Sequence, residues 1–584
     1  MNDHKSLNKH PKLGEWFATA ICGNDILSSS LYVSGIAIIF AGVYAPIVLA
    51  FIGFILFLYK KVYTEVVEAL PINGGAYNCL LNGTSKTVAA LAGVMTILSY
   101  VATAVISAKV GIEYLHTILP EIPVIPVTIA LLFLFAVIVI LGIKDSAKVA
   151  LGIFSFHALT LLTFLGFGLF FFLQGHSFFA QNIAQTQNII HNQGNLFYSL
   201  YLGFAASLLG VSGFESSANF VEEQEKGVFR KTLRNMLAGV AFFNPLIALV
   251  VLNSMPFHAI EGAKDFLLSD AAYAVGGQIF RYVVVIDAFL VLAGAVLTAY
   301  VGVSGLIHRM ASDSCLPYFL TTQNKKGSFP KIILCFFLLC SSILLVTRGD
   351  LLSLAGVYTI AFLGVMTMFG LGNLILKQTR TELKRTYNAP ILAVIVACLA
   401  TLFGIFGNIR INPNNLTFFE IYFIPSFILV LLMVYQDYVM RFALKVTKNI
   451  PFIHKFILAN FQDIIQGRFV VFVNHIERLY NVLEYVNKNE TGWNVVLVHC
   501  RNWDMKSDKD RYNELKAAIP PLQKAGVFPH LNITTEYEDE PFGPQAIENV
   551  AKRLKIHKNR IMIGSIHHFH DFDYDELGGV RIIF

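Results

Sequence analysis

Apolar runs of about 18 to 25 residues recur throughout residues 15–441. As a helix, a run of that length crosses roughly 30 Å of hydrocarbon. Within a bilayer every backbone N–H and C=O must be paired inside the protein, so such runs fold as helices. Twelve spans are predicted, near 15–40, 42–69, 88–118, 124–143, 148–173, 197–221, 233–254, 276–310, 331–347, 350–376, 391–408 and 419–441. Only 14% of residues are charged, against about 25% in a soluble domain. The N-terminal "MNDHKSLNKHPKLGEW" is polar. It lacks the apolar core of a removed signal peptide, so none is expected.

Loop charge sets an orientation. "KKVYTE", "KDSAK", "EKGVFRKTLR", "HRMASDS" with "NKKGSFPK", and "KQTRTELKRTYN" are basic, whereas Gln174–Asn195 has no Lys or Arg. Basic loops stay in the cytoplasm. A multi-pass protein of the inner membrane is expected, with both termini cytoplasmic. The predicted organisation is an N-terminus at 1–13, a transmembrane core at 14–445, an amphipathic connector at 446–466 and a soluble domain at 467–584. In that last part "WNVVLVHC", "HLNITTEY", "RIMIGS" and "LGGVRIIF" read as strands. "KDRYNELKAAIPPLQKAG" and "GPQAIENVAKRL" read as helices between them, giving a small cytoplasmic α/β domain.

Two spans break the apolar pattern. The first contains "GNDILSSSLYVSG", Gly23 to Gly35, and the sixth contains "GVSGFESSANF", Gly210 to Phe220. Serine and glycine alone also serve close helix packing. Asp25 and Glu215 do not fit that role, because an ionisable group at membrane depth marks a transport path by default. Interrupted helices five spans apart predict an inverted five-plus-five (LeuT-like) repeat, with the binding site where the breaks meet.

Three stretches carry a family resemblance. "PINGGAYN" follows the second span, "GFESSANFVEEQEKGVFRKTLRNM" continues the sixth and "GLIHRMASDSCLP" follows the eighth. In that order they resemble the amino acid–polyamine–organocation (APC) superfamily over about residues 12–445. The resemblance implies an all-α transporter fold. A narrower resemblance is to KimA-type potassium importers, whose first span reads close to "SSDALSSVAYG". It implies substrate-binding roles for Asp25, Ser28 and Tyr32 in the first span, and for Ser99 and Thr103 in the third. It implies the same for Ser212 and Glu215 in the sixth and Tyr358 in the tenth. Ser99 stands where those importers have an acid. With one carboxylate fewer, the site suits an organic amine or a zwitterion as well as potassium. In the fifth span "DSAKVALGIFSFH" is similar to "ESARVQAVLTVLK" of proton-coupled amino-acid relatives. His157 falls on their lysine, which implies proton coupling there. A histidine can take up and release a proton near neutral pH.

The remaining charged groups read as structural. Lys109 with Glu113, Arg281 with Asp287, and Glu65 and Glu68 with Lys60 and Lys61 are expected to pair. The seven cysteines form no C-x-x-C pair and read as buried small hydrophobes. "SIHHFHDFDYDELGG", with His567, His568, His570, Asp571, Asp573 and Asp575, matches no zinc spacing and reads as a solvated loop. No metal or other cofactor is expected, and no nucleic-acid partner.

The sequence thus points to a secondary transporter working by alternating access. The substrate is expected to be an amino acid or amine, with protons as the coupling ion. A KimA-like proton-coupled potassium importer is the alternative. A membrane sensor with a non-transporting core is a third reading. An enzyme is not expected, since no nucleophile–base set or Walker motif is present. A small regulatory ligand at the C-terminal domain and a homodimer are left open.

Overall fold

The computed structural model describes residues 12–142, 147–381, 383, 385–452, 454–455, 458, 468–473, 476, 479–490, 494–501, 505–554, 556, 560–563 and 580–582. Residues 437, 488 and 505–508 are described by their backbone alone. The chain divides into two compact units. One comprises residues 1–80, 91–311 and 318–427, and the other residues 81–90, 312–317 and 428–584.

The first unit is helical. Its elements begin with α1 (Glu15–Ser28), α2 (Ser30–Ala41), α3 (Ala45–Ala69), α4 (Gly75–Gly83), α5 (Lys86–His116), α6 (Val124–Ile140), α7 (Ala147–Leu173) and α8 (Phe179–Gln193). They continue with α9 (Leu196–Ser207), α10 (Val228–Ser254), α11 (Phe257–Gly262), α12 (Leu267–Ser312) and α13 (Pro330–Val346). Last come α14 (Leu351–Thr379), α15 (Ile391–Ile411) and α16 (Asn414–Val434), whose C-terminal end, like all of α17 (Gln436–Val446), falls in the second unit. Nine stretches among the described residues are long and apolar enough to cross a membrane. The first, Glu15–Ala69, has 55 residues. At about 1.5 Å per residue that is enough for two crossings. α6 and α13 are equally apolar but shorter, at 17 residues each. α5 and α14 are the most enclosed of these helices and α16 the least.

Local chemistry sets several of the ends. Asp350 caps α14 by accepting the Ser353 N–H at 2.9 Å, and Asn195 caps α9 by accepting that of Tyr198 at 2.8 Å. α12 begins nine residues before its predicted start and bends at Gly277, where φ is +74°. A side chain is strained in that left-handed region, so glycine marks the join between the loop helix and the long span.

The two predicted breaks differ in kind. In the first span the interruption is Ser29 alone, whose backbone stays right-handed helical at φ −63° and ψ −24°. Gly23 and Gly35 lie within helices α1 and α2, so the expected unwound stretch between them contracts to one residue. These glycines allow close packing: a Cβ on Gly23 would sit 2.7 Å from the Phe154 ring, and one on Gly35 would sit 3.1 Å from Leu267. The sixth span opens fully. α9 stops at Ser207, and short 3₁₀ turns follow at Leu208–Val211 and Glu215–Asn219.

Several predicted charge pairs are re-partnered. Lys109 does pair with Glu113, at 3.1 Å, and also meets Asp265. Glu65 pairs with Lys377 at 2.9 Å and Arg385 at 3.4 Å rather than with Lys60 or Lys61. Glu68 accepts a hydrogen bond from Thr386. Arg281 pairs with Asp270 at 3.2 Å, which leaves Asp287 to another partner. Neighbours in sequence lose to partners that packing brings closer.

The second unit contains a five-stranded parallel sheet in the order β3-β2-β1-β4-β5. Its strands are β1 (Arg468–Phe472), β2 (Asn494–Arg501), β3 (Asn532–Pro541), β4 (Ile561–Ile563) and β5 (Arg581–Ile582). Its helices are α18 (Leu479–Asn489), α19 (Met505–Lys524) and α20 (Pro544–Leu554). Leu483 and Val486 of α18 and Leu515 and Ile519 of α19 pack on Val471, Val495 and Leu497. Ile547 and Val550 of α20 pack on the opposite face, against Val470, Val496 and Ile561. Both faces are covered, as parallel sheets require. The His- and Asp-rich stretch at 566–575 lies outside the described residues.

Candidate functional site

The fully open break in the sixth span brings its backbone onto the first. Gly213 has φ +90°, and a Cβ there would sit 2.8 Å from Asp25 Cγ and 2.9 Å from the Ile26 nitrogen. Only glycine lets the two chains approach this closely. Ser29 ties them further, its hydroxyl lying 2.6 Å from the Ile26 carbonyl and 3.2 Å from that of Gly210.

Two carboxylates occupy this junction, both buried. Asp25 Oδ2 accepts a hydrogen bond from Ser216 Oγ at 2.9 Å. Glu215 Oε1 accepts one from Ser99 Oγ at 3.1 Å, and Oε2 accepts the Gly213 N–H at 3.1 Å. Each carboxylate lies within electrostatic reach of the other. Neither takes part in an ion pair among the described residues.

The other predicted site residues fall into two groups. Tyr32 and Tyr358 are buried and both lie beside Ser212. The Tyr358 hydroxyl lacks hydrogen-bond geometry to any partner among the described residues. Asp25, Tyr32, Ser99, Ser212, Glu215 and Tyr358 are thus brought together. Ser28 and Thr103 are used differently: Ser28 Oγ donates to the Asp25 carbonyl at 2.7 Å and Thr103 Oγ1 to the Ser99 carbonyl at 3.0 Å. Their protons serve their own helices.

Three further groups belong to the junction. Ser216 holds Asp25, Ser29 bridges the breaks, and Tyr100 takes the Asn219 amide at 2.6 Å while facing the charges of Glu215 and Asp25. In sequence the three consecutive serines 28–30 are equivalent, and only the register of the break selects Ser29. Tyr100 sits next to Ser99 and carries no signal of its own.

His157 is wholly buried on α7. Its Nδ1 is 2.7 Å from Asp287 Oδ2 on α12, and its Nε2 is 3.4 Å from the Leu27 carbonyl on α1. This corrects the expected pairing of Asp287 with Arg281. No cluster of three or more metal-ligating side chains occurs among the described residues.

Comparison with known proteins places this geometry in context. The sequence is similar to the potassium transporter KimA of Bacillus subtilis (strain 168), with 24% identity over 347 residues, or 57% of this chain. The match spans 56% of that protein's length, so the chain covers little more than half of its curated relative. Among solved structures, a mutant of a manganese transporter from Eremococcus coleocola aligns with a TM-score of 0.47 and 10% identity. That alignment covers 79% of this chain and 99% of the other, and is too slight to carry fold or function. The sequence profile of the amino acid permeases matches residues 13–435. The chain therefore belongs to the amino acid permease family, within the APC superfamily that its motifs resemble.

Proposed function

We propose that this permease moves a small solute bearing a positive charge, an amino acid or amine, by alternating access with proton symport. The observation that carries the reading is the buried pair Asp25 and Glu215, neither of them ion-paired among the described residues. Ionising two carboxylates held out of water without a counter-ion is costly, and a bound cation offsets that cost. The surrounding hydroxyls of Ser99, Ser212, Ser216 and Tyr358 can orient an ammonium group. Asp25 and Glu215 act as its acceptors and His157 carries the coupling proton. The same reading has twelve crossings in an inverted five-plus-five arrangement, both termini in the cytoplasm and the inner membrane as location.

A second reading, potassium import, is favoured by Tyr32, Ser212 and Tyr358 lying together beside the carboxylates. Similarity to a potassium transporter supports it as well. Purified protein in proteoliposomes, tested with a panel of labelled amino acids and amines and with rubidium-86, decides between them. Proton-driven accumulation of an amine-bearing solute is expected. Accumulation of rubidium alone would favour the second reading, and transport of neither would leave a sensor.

A further inference from the structure

We propose that α10 supplies a second, uncharged end to the solute site: Asn244, with Ser30 and Ser207, receives the carboxylate of an amino acid whose ammonium group lies at Asp25 and Glu215. The proposal rests on the reading of those two acids as the ammonium site. Within that reading it selects amino acids over simple amines.

Asn244 is buried on α10. Both polar atoms of its side chain, Nδ2 and Oδ1, lack a hydrogen-bond partner among the described residues. No other asparagine among them buries both amide atoms in this way. An asparagine in an apolar span commonly serves as glue between helices. Asn182 and Asn408 do so here. Asn182 Nδ2 donates to the Leu252 and Met255 carbonyls at 2.8 and 2.9 Å, and its Oδ1 accepts the Phe257 N–H at 2.9 Å. Asn408 Nδ2 donates to the Ala205 and Gly404 carbonyls at 2.8 and 3.0 Å. The Asn244 amide makes no such bond, and a buried polar group left unpaired is costly. Its bonding capacity has no structural use among the described residues.

The amide faces the sixth-span break. A Cβ on Gly210 would sit 3.1 Å from Asn244 Nδ2. The two breaks are tied at this same residue, whose carbonyl accepts from Ser29 Oγ at 3.2 Å. Two more orphaned hydroxyls flank the point, Ser30 on α2 and Ser207 at the end of α9, both wholly buried. Ser30 lies one turn before Ser34, whose hydroxyl is 3.5 Å from the Asn244 carbonyl, so it shares the face of α2 turned to α10. Ser207 is three positions before Gly210. Pro245 adds to the local polarity, because it has no N–H for the Ala241 carbonyl one turn back.

Asp25 lies against Gly213, three residues further along the same segment. The break thus has acids at one end and neutral groups at the other, with Ser212, Tyr32 and Tyr358 beside it. An amide and two hydroxyls offer N–H and O–H donors without charge. An ionised carboxylate only accepts, so these donors match it, whereas Asp25 and Glu215 repel it. An amine that lacks the carboxylate leaves the same groups unpaired, and a site built this way discriminates against it.

The test is uptake by the full-length protein in proteoliposomes of labelled pairs that differ by the carboxylate alone: alanine and ethylamine, leucine and isoamylamine, lysine and cadaverine, with rubidium-86 alongside. The wild type should favour the amino acid of any pair it transports. Asn244→Ala should reduce that preference by about tenfold or more, the worth of a hydrogen bond to a charged group. Asn244→Asp puts an anion where the carboxylate lies and should reverse the preference. The proposal is overturned if the wild type does not favour the amino acid, if the variants keep the wild-type preference, or if Asn244→Ala lowers uptake of both members equally, as a packing role would. Should one variant fail to fold, the other decides. The ammonium reading fails separately: a wild type that takes up rubidium-86 and no amine-bearing solute ends that reading and this one with it. A preference for amino acids that both variants retain strikes this proposal alone.

Discussion

Asp25 and Glu215 are legible from sequence because a carboxylate inside an apolar span has no bland explanation. Their supports are less so. Ser216 and Ser29 look like any serine of a Ser-rich segment, and only the meeting of two helices gives them roles. Asp287 misleads because Arg281 lies six positions away, whereas its actual partner is 130 residues distant. Gly213 offers a direct test at this scale. Gly213→Ala places a methyl 2.8 Å from Asp25 Cγ in a left-handed backbone. The strain is on the order of 1–3 kcal/mol. Solute binding should weaken markedly while the protein still inserts into membranes, as read by uptake and by size-exclusion of the purified variant.

At the scale of elements, hydropathy locates the long helices well because an apolar run in lipid has little choice but helix. It misjudges α12, whose first nine residues are amphipathic enough to read as loop before the bend at Gly277. It also overstates the first break, since glycine and serine signal packing and unwinding alike. In the C-terminal α/β part, four strands and two helices follow the alternation of short apolar runs. β1 is missed although it lies at the centre of the sheet, and so is α18. The five residues "RFVVF" follow an amphipathic stretch without a turn signal to separate them. Two expectations belong here. Asp350→Ala removes the α14 cap and should lower stability by about 1 kcal/mol, measured by thermal unfolding in detergent. Leu483→Ala empties a fully buried position between α18 and the sheet. It should cost about 2–5 kcal/mol, seen as earlier unfolding of the C-terminal domain with transport helices intact.

For the whole molecule, an anchor for a signalling domain would gain nothing from two buried carboxylates, outside any ion pair among the described residues, where two interrupted helices meet. Under the proposed function they exchange water for protein ligands around a charged solute. Gly213 lies against Asp25 and Ile26 where the first and sixth spans meet. The His157–Asp287 pair joins α7 to α12 and reaches the Leu27 carbonyl of α1. One measurement tests the central claim most directly: proton-driven uptake into proteoliposomes by the wild type, Asp25→Asn and Glu215→Gln, using the solute identified in the panel of amino acids, amines and rubidium-86. The account predicts saturable uptake by the wild type and its loss in both variants, with reconstitution and thermal stability retained. Wild-type uptake by both variants would contradict it and move the solute away from the junction of the two broken helices.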